Sequence, residues 1–266
     1  MDLQLTGKRA LVTGGNRGIG REIARALVEE GADVMLAARD ADRLAAAAAE
    51  LGELSGRPVR AHVCDTGDAA AVELLARTAQ EQLGGIDILV NAAARTWFRQ
   101  APPRLLELTD DAVFDDINVK VLGYLRCARA VVPGMIRQHW GRIVNVSGLN
   151  ARTTGNIVGS IRNISVAALT KNLADELGRF GINVTAVHPG FTLTDTNLAV
   201  ISERAAAQGV PAEDVARQMF TPNAIGRAVE AVEVARLVAF LASPLSSAIT
   251  GDAIACGGGQ LGPIHY

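Results

Sequence analysis

Two kinds of hydrophobic pattern alternate along the chain. Short runs rich in Val, Ile, Leu and Ala lack a strict apolar–polar alternation, which is typical of parallel strands buried on both faces. Longer segments repeat apolar residues every three or four positions, as amphipathic helices do. These patterns predict helices over 19–32, 42–54 and 69–84, more helices between the later strands, and strands over 9–15, 33–39, 59–65, 86–93, 141–148, 182–190 and 253–259.

The repeated strand–helix order predicts an α/β fold in which a doubly wound parallel sheet carries helices on both faces. No linker or repeat interrupts the order, so we expect residues 1–266 to form a single domain. The stretch 191–222 departs from the pattern, and we expect it to be irregular. It follows a strand end directly, where open α/β sheets bind ligands, and we therefore expect it to cover a substrate.

Composition and charge narrow the class of protein. Hydrophobic residues make up 49% of the chain, enough for a large core, and the net charge of -2 predicts no surface for nucleic acid or anionic membranes. The apolar runs are too short to span a bilayer, and the start lacks a signal-peptide pattern, so we expect a cytoplasmic location. The three cysteines and four histidines are scattered, which predicts free thiols and no metal site.

A glycine-rich loop, TGGNRGIG at 13–20, lies between the first predicted strand and helix. Gly14 permits a tight turn, and Gly18 and Gly20 allow the backbone to approach a pyrophosphate at the helix N-terminus. A strand–turn–helix context is what a dinucleotide-binding loop requires. The alternative is a glycine-rich turn that binds no ligand.

The end of the second strand bears on the choice of dinucleotide. A site selective for NAD usually has a carboxylate there, for the ribose 2′-hydroxyl, but this chain has Ala38. Arg39 follows it, and Arg17 lies in the glycine loop, which suits a 2′-phosphate. We therefore expect NADP(H) rather than NAD(H). The alternative is that Arg39 only pairs with Asp40 or Asp42.

These motifs resemble the short-chain dehydrogenase/reductase family over essentially the whole chain. The resemblance implies a Rossmann fold, a nicotinamide cofactor, hydride transfer to or from a small carbonyl or alcohol substrate, and a homodimer or homotetramer. It implies cofactor contacts from the motifs at the strand ends, namely Gly14, Asn16, Arg17, Gly18, Ile19, Gly20, Arg39, Asp65, Thr66, Asn91, Ala92, Ala93, Pro189, Gly190, Thr192 and Thr194.

The resemblance fails at the catalytic pair. The family uses a Tyr as proton donor, and a Lys four residues later lowers the Tyr pKa. The two tyrosines of this chain, Tyr124 and Tyr266, lie outside the segment between the fifth and sixth strands. The Tyr position falls on Gly159 and the Lys position on Asn163. A register shifted by two residues gives Ile161 and Ser165 instead, which supplies no such pair either.

The other two catalytic positions are also changed. The family's catalytic Ser falls on Gly148, with Ser147 just before it, and its Asn, thirteen residues before Pro133, falls on Lys120. One interpretation is a reciprocal exchange of Lys and Asn that keeps an ammonium near the ribose and the carbonyl. The other interpretation is that the catalytic Asn and the catalytic Lys were lost independently, in a site no longer under chemical demand. Lys171 lies two turns further along the same helix, and we expect it to be a solvated surface charge.

Several residues remain as candidate proton donors or substrate ligands. Lys120, Ser147 and Ser160 are candidates, with Asn163 as the exchange partner of Lys120. His188 suits proton transfer, although a packed histidine at a strand end is the favoured interpretation. For Tyr124 we favour packing at a subunit interface. Arg162 could hold an anionic substrate or line a subunit contact.

Three functions stay open. The first is an NADP-dependent oxidoreductase with a rearranged site, the second a non-redox enzyme on the same fold, and the third a non-catalytic protein that binds NADP. We favour the first because the cofactor motifs are otherwise complete. The apolar character of 191–222 favours a hydrophobic substrate.

Overall fold

The computed structural model describes residues 1–95, 102–219 and 222–262. His265 and Tyr266 lie outside these ranges. Within them, nine strands form a large sheet and a small strand pair. The strands are β1 (Arg9–Thr13), β2 (Asp33–Ala38), β3 (Arg60–Val63), β4 (Ile88–Asn91), β5 (Gly141–Val146), β6 (Ile182–Pro189), β7 (Thr192–Leu193), β8 (Val229–Glu230) and β9 (Ala253–Cys256).

The described part of the chain also forms nine α-helices and several shorter turns. A π-helical turn, Asn118–Leu122, joins the fourth helix to the fifth, and 3₁₀ turns occupy Leu149–Ala151, Gly178–Phe180 and Pro244–Ser246. The α-helices are α1 (Gly18–Glu29), α2 (Ala41–Ser55), α3 (Ala69–Leu83), α4 (Asp110–Ile117), α5 (Gly123–Gln138), α6 (Ile157–Leu177), α7 (Asp195–Gln208), α8 (Ala212–Met219) and α9 (Ala231–Ala242).

Seven parallel strands make the large sheet, in the order β3-β2-β1-β4-β5-β6-β9, and β7 pairs with β8. The order reverses at β1, which is the signature of a doubly wound sheet. The predicted fold class is therefore confirmed. The predicted strands are one to four residues too long, mostly because residues after a strand, such as Gly14 and Gly15 after β1, belong to the turn at its carboxyl end.

The core has two layers because successive strand side chains point to opposite faces of the sheet. Val12 and Val90 pack with α1, α2 and α9 on one face. Leu11 and Leu89 pack with α3, α5 and α6 on the other. Strands buried on both faces are apolar throughout, which explains the unalternating runs in the sequence.

Short polar signals set the helix boundaries. The Asp40 side chain accepts a hydrogen bond from the Arg43 backbone N–H and starts α2, and Asp68 starts α3 in the same way. Gly56 and Gly84 end these helices with φ of 65° and 75°, backbone angles that residues other than glycine rarely adopt. The boundaries matter because they place each helix start at the carboxyl edge of the sheet.

The strand register brings the predicted motifs to one edge. Thr13 at the end of β1 pairs with Ala37 on one side and Asn91 on the other, and Asn91 pairs with Asn145 on β5. In an open parallel sheet this carboxyl edge is where ligands bind. None of the helices in the described ranges is long and apolar enough to cross a membrane.

The segment 191–222 differs from its prediction. It was expected to be irregular, but it contains β7, α7 and α8. Thr194 caps α7 by accepting a hydrogen bond from the Asn197 N–H, and Ile201, Ala205 and Val215 form a small apolar cluster between the two helices. The prediction was wrong because α7 and α8 bury few apolar residues. Residues 220 and 221 lie outside the described ranges.

Candidate active site

A cleft of about 960 Å³ opens along the carboxyl edge of the sheet. The predicted cofactor residues line it, with Asn91 as the exception. Lys120, Ser147 and Asn163 also line it, whereas Ser160 does not. The strand ends therefore bring three of the four predicted catalytic residues into one cleft with the glycine loop.

The glycine loop has the shape that a dinucleotide pyrophosphate requires. Gly14 has φ of 70°, and a Cβ on it would lie 2.8 Å from the Ala92 carbonyl group. A Cβ on Gly20 would overlap the Gly14 carbonyl oxygen. Arg17, the N-cap residue of α1, makes no side-chain hydrogen bond to the first turn of the helix. The backbone N–H groups of that turn are therefore available to a ligand. The loop fits a phosphate group.

Three arginines surround the end of β2. Arg17, Arg39 and Arg43 line the cleft there. The Arg39 Nη1 lies 3.7 Å from the Asp65 carboxylate, so Arg39 pairs with neither Asp40 nor Asp42. The Arg43 Nε lies 3.3 Å from the Asp40 Oδ2. Both pairs are largely exposed and weak, so the guanidinium groups remain available to a phosphate. The sequence analysis missed Arg43, although its position in the first turn of α2 could have indicated it.

Asn91 has a different role from the predicted one. Its side chain is fully buried in the sheet, where the Nδ2 donates to the Asn145 Oδ1 at 2.9 Å, and Asn145 donates in turn to the Thr170 hydroxyl. Asn91 therefore ties β4 to β5 and α6 through side chains. The prediction failed because the pleat turns this side chain away from the cleft.

Lys120 and Asn163 meet in the interior of the cleft. The Lys120 Nζ donates to the Asn163 Oδ1 at 3.1 Å and to the Ser147 carbonyl oxygen at 2.9 Å. Both side chains are almost completely buried, and the Ser147 hydroxyl donates to the Asn163 carbonyl oxygen at 3.1 Å. Lys120 and Asn163 are therefore in contact, which the interpretation as a reciprocal exchange requires.

The π-helical turn puts Lys120 in this position. Such turns add one residue to a helix and frequently mark functional sites. Here Lys120 points inward while Asn118 points away, with its Nδ2 donating to the Gly67 carbonyl and its Oδ1 accepting from Arg126. Asn118, although an asparagine close to the expected position, is therefore a structural residue.

The environment of Lys120 favours the neutral amine. Burial lowers the pKa of Lys120 well below its usual range, the Arg162 guanidinium lowers it further, and the Asp116 carboxylate opposes the shift. A lowered pKa lets a buried lysine release its proton at a lower pH than an exposed lysine does, which suits proton transfer.

Glycines occupy positions 148 and 159, where the sequence resemblance places the catalytic Ser and Tyr. A Cβ on Gly148 would lie 2.9 Å from the Asn163 Nδ2, so a serine there would displace the amide that holds Lys120. A Cβ on Gly159 would lie 2.7 Å from the Asn156 side chain and 2.9 Å from the Asn150 Nδ2. Amide groups fill the space on that side of α6.

The other predicted donors are less suitable. Ser160 does not line the cleft, and its hydroxyl is occupied by a hydrogen bond to the Thr153 carbonyl oxygen. His188 is buried, its Nδ1 accepts from the Gly148 N–H, and burial lowers its pKa to about 4. It is packed at the strand end, as the favoured interpretation had it. In the alternative register, Ile161 is exposed and the Ser165 hydroxyl bonds back to its own helix.

Tyr124 and Lys171 also have defined surroundings. Tyr124 is fully buried inside the fold, where its hydroxyl donates to the Val146 carbonyl oxygen at 2.9 Å and burial raises its pKa. The expectation of interface packing was therefore wrong, because the side chain has no exposed surface. Lys171 is exposed and pairs with Asp175, as predicted for a surface charge.

Comparisons with known proteins agree with this geometry. A family model described as short chain dehydrogenase matches residues 8–205. The 3-oxoacyl-(acyl-carrier-protein) reductase FabG of Vibrio harveyi is 35% identical over 270 residues, which cover 97% of this chain and 99% of that protein. The similarity extends over nearly the full length of both chains.

Solved structures show the same architecture. L-sorbose reductase from Gluconobacter frateurii, complexed with NADPH and L-sorbose, superposes with a TM-score of 0.91 at 28% identity and covers 99% of this chain and 100% of that chain. A variant of actinorhodin polyketide ketoreductase with NADPH gives 0.85 at 32% identity, covering 94% and 96%. Both structures contain NADPH.

The surroundings of Tyr124 generate a prediction. Tyr124→Phe should lower the free energy of unfolding by about 1 kcal/mol, because it removes one buried hydrogen bond. Dinucleotide binding and any turnover should stay within roughly twofold of the wild type, because Tyr124 does not line the cleft. Urea denaturation and a dinucleotide titration measure the two effects. A variant that keeps its stability but loses turnover would make Tyr124 a catalytic residue and contradict this assignment.

Proposed function

The chain belongs to the short-chain dehydrogenase family, and on that premise we propose that it is an NADP-dependent reductase in which Lys120 takes the place of the family's Tyr as proton donor. The observation that carries the proposal is the Lys120 amine, buried in the wall of the cofactor cleft and held by Asn163 and Ser147. Its substrate is a small carbonyl compound, or the corresponding alcohol in the reverse direction.

The cleft supplies a place for the cofactor. The glycine loop would bind the pyrophosphate, and Pro189, Gly190, Thr192 and Thr194 would bind the nicotinamide end, since all of them line the cleft. A bound NADPH supplies the hydride, which protein side chains cannot do. The names of the similar proteins support this assignment, because they include reductases and NADPH complexes.

Hydrogen-bond counting supports Lys120 as the acid. A neutral amine has two N–H groups, and the Ser147 and Asn163 oxygens accept both. The ammonium form has a third N–H, for which the described residues offer no further acceptor. A substrate carbonyl oxygen in the cleft is the acceptor that this proton needs. After the transfer the neutral amine keeps both of its hydrogen bonds, so the protein need not rearrange.

Asn163 and Ser147 act as positioning residues. The two oxygens that hold the amine come from α6 and from the end of β5, and the Ser147 hydroxyl bonds back to the Asn163 backbone. Three elements therefore fix the Lys120 Nζ. Fixed geometry is what makes proton transfer efficient, because no reorganisation is needed at the moment of reaction.

The arginines at the end of β2 support the preference for NADP(H). Arg17, Arg39 and Arg43 are the charged groups that a ribose 2′-phosphate would meet, and guanidinium groups form bidentate bonds to phosphate oxygens. Because residue 38 is Ala, no carboxylate at that position repels the 2′-phosphate. This arrangement favours the phosphorylated dinucleotide.

A surface of α6 supports the expected homo-oligomer. Ile157, Ile161 and Ile164 are exposed on this helix, and Phe114 on α4 is 69% exposed. Apolar residues grouped on one face usually mark a protein contact. We propose that a second copy of the chain covers them in a dimer or a tetramer.

The role of Lys120 predicts a loss of activity and a change in pH dependence. Lys120→Met should lower kcat/KM for carbonyl reduction by about 10²- to 10⁴-fold, the range that a general acid contributes. In the wild type, reduction should slow as pH rises through the lowered pKa of Lys120, because the acid form is lost, and alcohol oxidation should accelerate. Steady-state kinetics against pH with NADPH measure both effects.

Two controls keep this test specific. Asn172→Ala changes an exposed residue of α6 outside the cleft lining and should leave kcat/KM within about twofold. Fluorescence titration with NADPH shows whether each variant still binds the dinucleotide. The wild type could bind NADPH tightly and yet turn over no ketone, aldehyde, imine or enone. That result would favour a non-catalytic protein that binds NADP. Full activity of Lys120→Met would remove Lys120 from the reaction.

The arginines predict a change in coenzyme preference. Arg39→Ala should weaken NADPH binding by about tenfold and change NADH binding little, because it removes a charge-assisted contact at an exposed site. Arg77→Ala on α3, exposed and outside the cleft lining, is the matched control. Calorimetry at two salt concentrations measures the affinities. Equal losses for both dinucleotides would contradict the assignment of Arg39 to the 2′-phosphate.

A further inference from the structure

Arg162 presents an unused guanidinium edge at the wall of the cleft, and we propose that this edge binds a carboxylate on the substrate. The inference rests on the proposed reductase function and names its substrate class: a short oxo acid, reduced to a hydroxy acid. It differs from the hydrophobic substrate that the sequence of 191–222 favoured.

One nitrogen of Arg162 is fully occupied. The Nη1 donates to the two Asp116 oxygens at 2.7 and 2.8 Å and to the Arg95 carbonyl oxygen at 3.1 Å. Asp116 is completely buried, and the Arg162 side chain is 12% exposed. This contact between α4 and α6 fixes the plane of the guanidinium group, so its remaining donors have a fixed direction.

The opposite edge has no acceptor among the described residues. The Arg162 Nε is buried without a hydrogen-bond partner, and the Nη2 makes no hydrogen bond in the described part of the chain. The Nε and Nη2 donors together form the fork that binds both oxygens of a carboxylate. Buried N–H groups of native proteins usually have partners, so an unpaired fork in a cleft wall indicates a ligand or an ordered water.

The charge of the cleft favours an anionic ligand. The cleft lining includes Arg95, Arg162 and Arg204, and the Arg162 charge acts on Lys120. The carboxylates among the described residues of the lining are Asp40 and Asp65, which lie at the other end, near β2. Arg95 and Arg162 pair with Asp115 and Asp116, so the positive group that remains for a ligand is the unused edge of Arg162. A carboxylate gains Coulomb energy there, whereas a cationic substrate would be repelled.

The position of Arg162 limits the length of the substrate. It directly precedes Asn163, which holds the Lys120 amine, and the charge of Arg162 acts on Lys120. Because the Arg162 charge acts on Lys120, we infer a short spacing between a carboxylate on Arg162 and a carbonyl oxygen at Lys120. An oxo acid whose carbonyl lies one to three carbons from the carboxylate meets this requirement. Binding the acid at Arg162 would place its carbonyl beside the proton donor.

The test compares oxo acids with their methyl esters. Initial rates of NADPH consumption are measured on 2-oxobutanoate, acetoacetate and levulinate and on the three esters, for the wild type, Arg162→Gln and Arg162→Lys. The wild type should prefer the acids. Arg162→Gln should lower kcat/KM for the acids by about 30-fold, as expected for a hydrogen-bonded charge pair, and change it for the esters little. Arg162→Lys should recover part of the loss.

A binding measurement separates this proposal from the reductase function. Calorimetry with 2-hydroxybutanoate in the presence of NADPH should show binding to the wild type and a loss of binding to Arg162→Gln. If the wild type binds 2-hydroxybutanoate through Arg162 but reduces no substrate, the role of Arg162 is supported and the proposed reductase function is refuted. Equal kcat/KM for acids and esters, or an unchanged affinity in Arg162→Gln, would overturn the proposal and leave an ordered water as the partner of the fork.

Removal of Arg162 also leaves the buried Asp116 without this partner, which could unfold the variant. The double variant Arg162→Gln with Asp116→Asn restores neutrality and is measured beside the single variant. NADPH affinity within about threefold of the wild type shows that the fold is retained, since the glycine loop is remote from the change. A double variant that binds NADPH and still prefers acids over esters would equally overturn the proposal.

Discussion

The active site depends on a buried amine that must find hydrogen-bond acceptors inside the protein. Removing an amine from water is unfavourable unless its N–H groups are paired. Lys120 meets this requirement with one backbone oxygen at the end of β5 and one side-chain oxygen on α6. The π-helical turn, the strand and the helix are therefore held together at the wall of the cleft.

Gly148 and Gly159 leave room for the groups that surround the Lys120 amine. A side chain at position 148 would push against the amide of Asn163, and one at position 159 would push against Asn156 and Asn150. Each of these substitutions would disturb the groups that now surround the amine. The proposed site thus differs from the family's usual one in several coordinated positions, and the ion pair between Arg162 and Asp116 adds a second fixed cation beside it.

The sequence predicted the sheet and the position of the glycine loop, because hydrophobic period and motif spacing determine which strand ends share an edge. The contact of Lys120 with Asn163 belongs to one of the two interpretations that the sequence left open. It could not predict which way individual polar side chains turn. Asn91 pairs across the sheet, and Ser160 bonds to a loop carbonyl, through contacts with residues 54 and 7 positions away. The helices within 191–222 were missed because few of their residues are buried, and the open edge of Arg162 depends on a contact that only the folded chain forms.

Direct titration of the Lys120 amine tests the central claim. The chain has three lysines, Lys8, Lys120 and Lys171, so a sample with ¹³C-labelled lysine gives few Cε signals, and Lys120→Met assigns the one of interest. Nuclear magnetic resonance spectra of the folded protein are recorded against pH. The account predicts that Lys120 titrates well below about 10.4, the value of lysine in model peptides. A midpoint at or above that value would show a permanently charged ammonium and contradict its role as the proton donor.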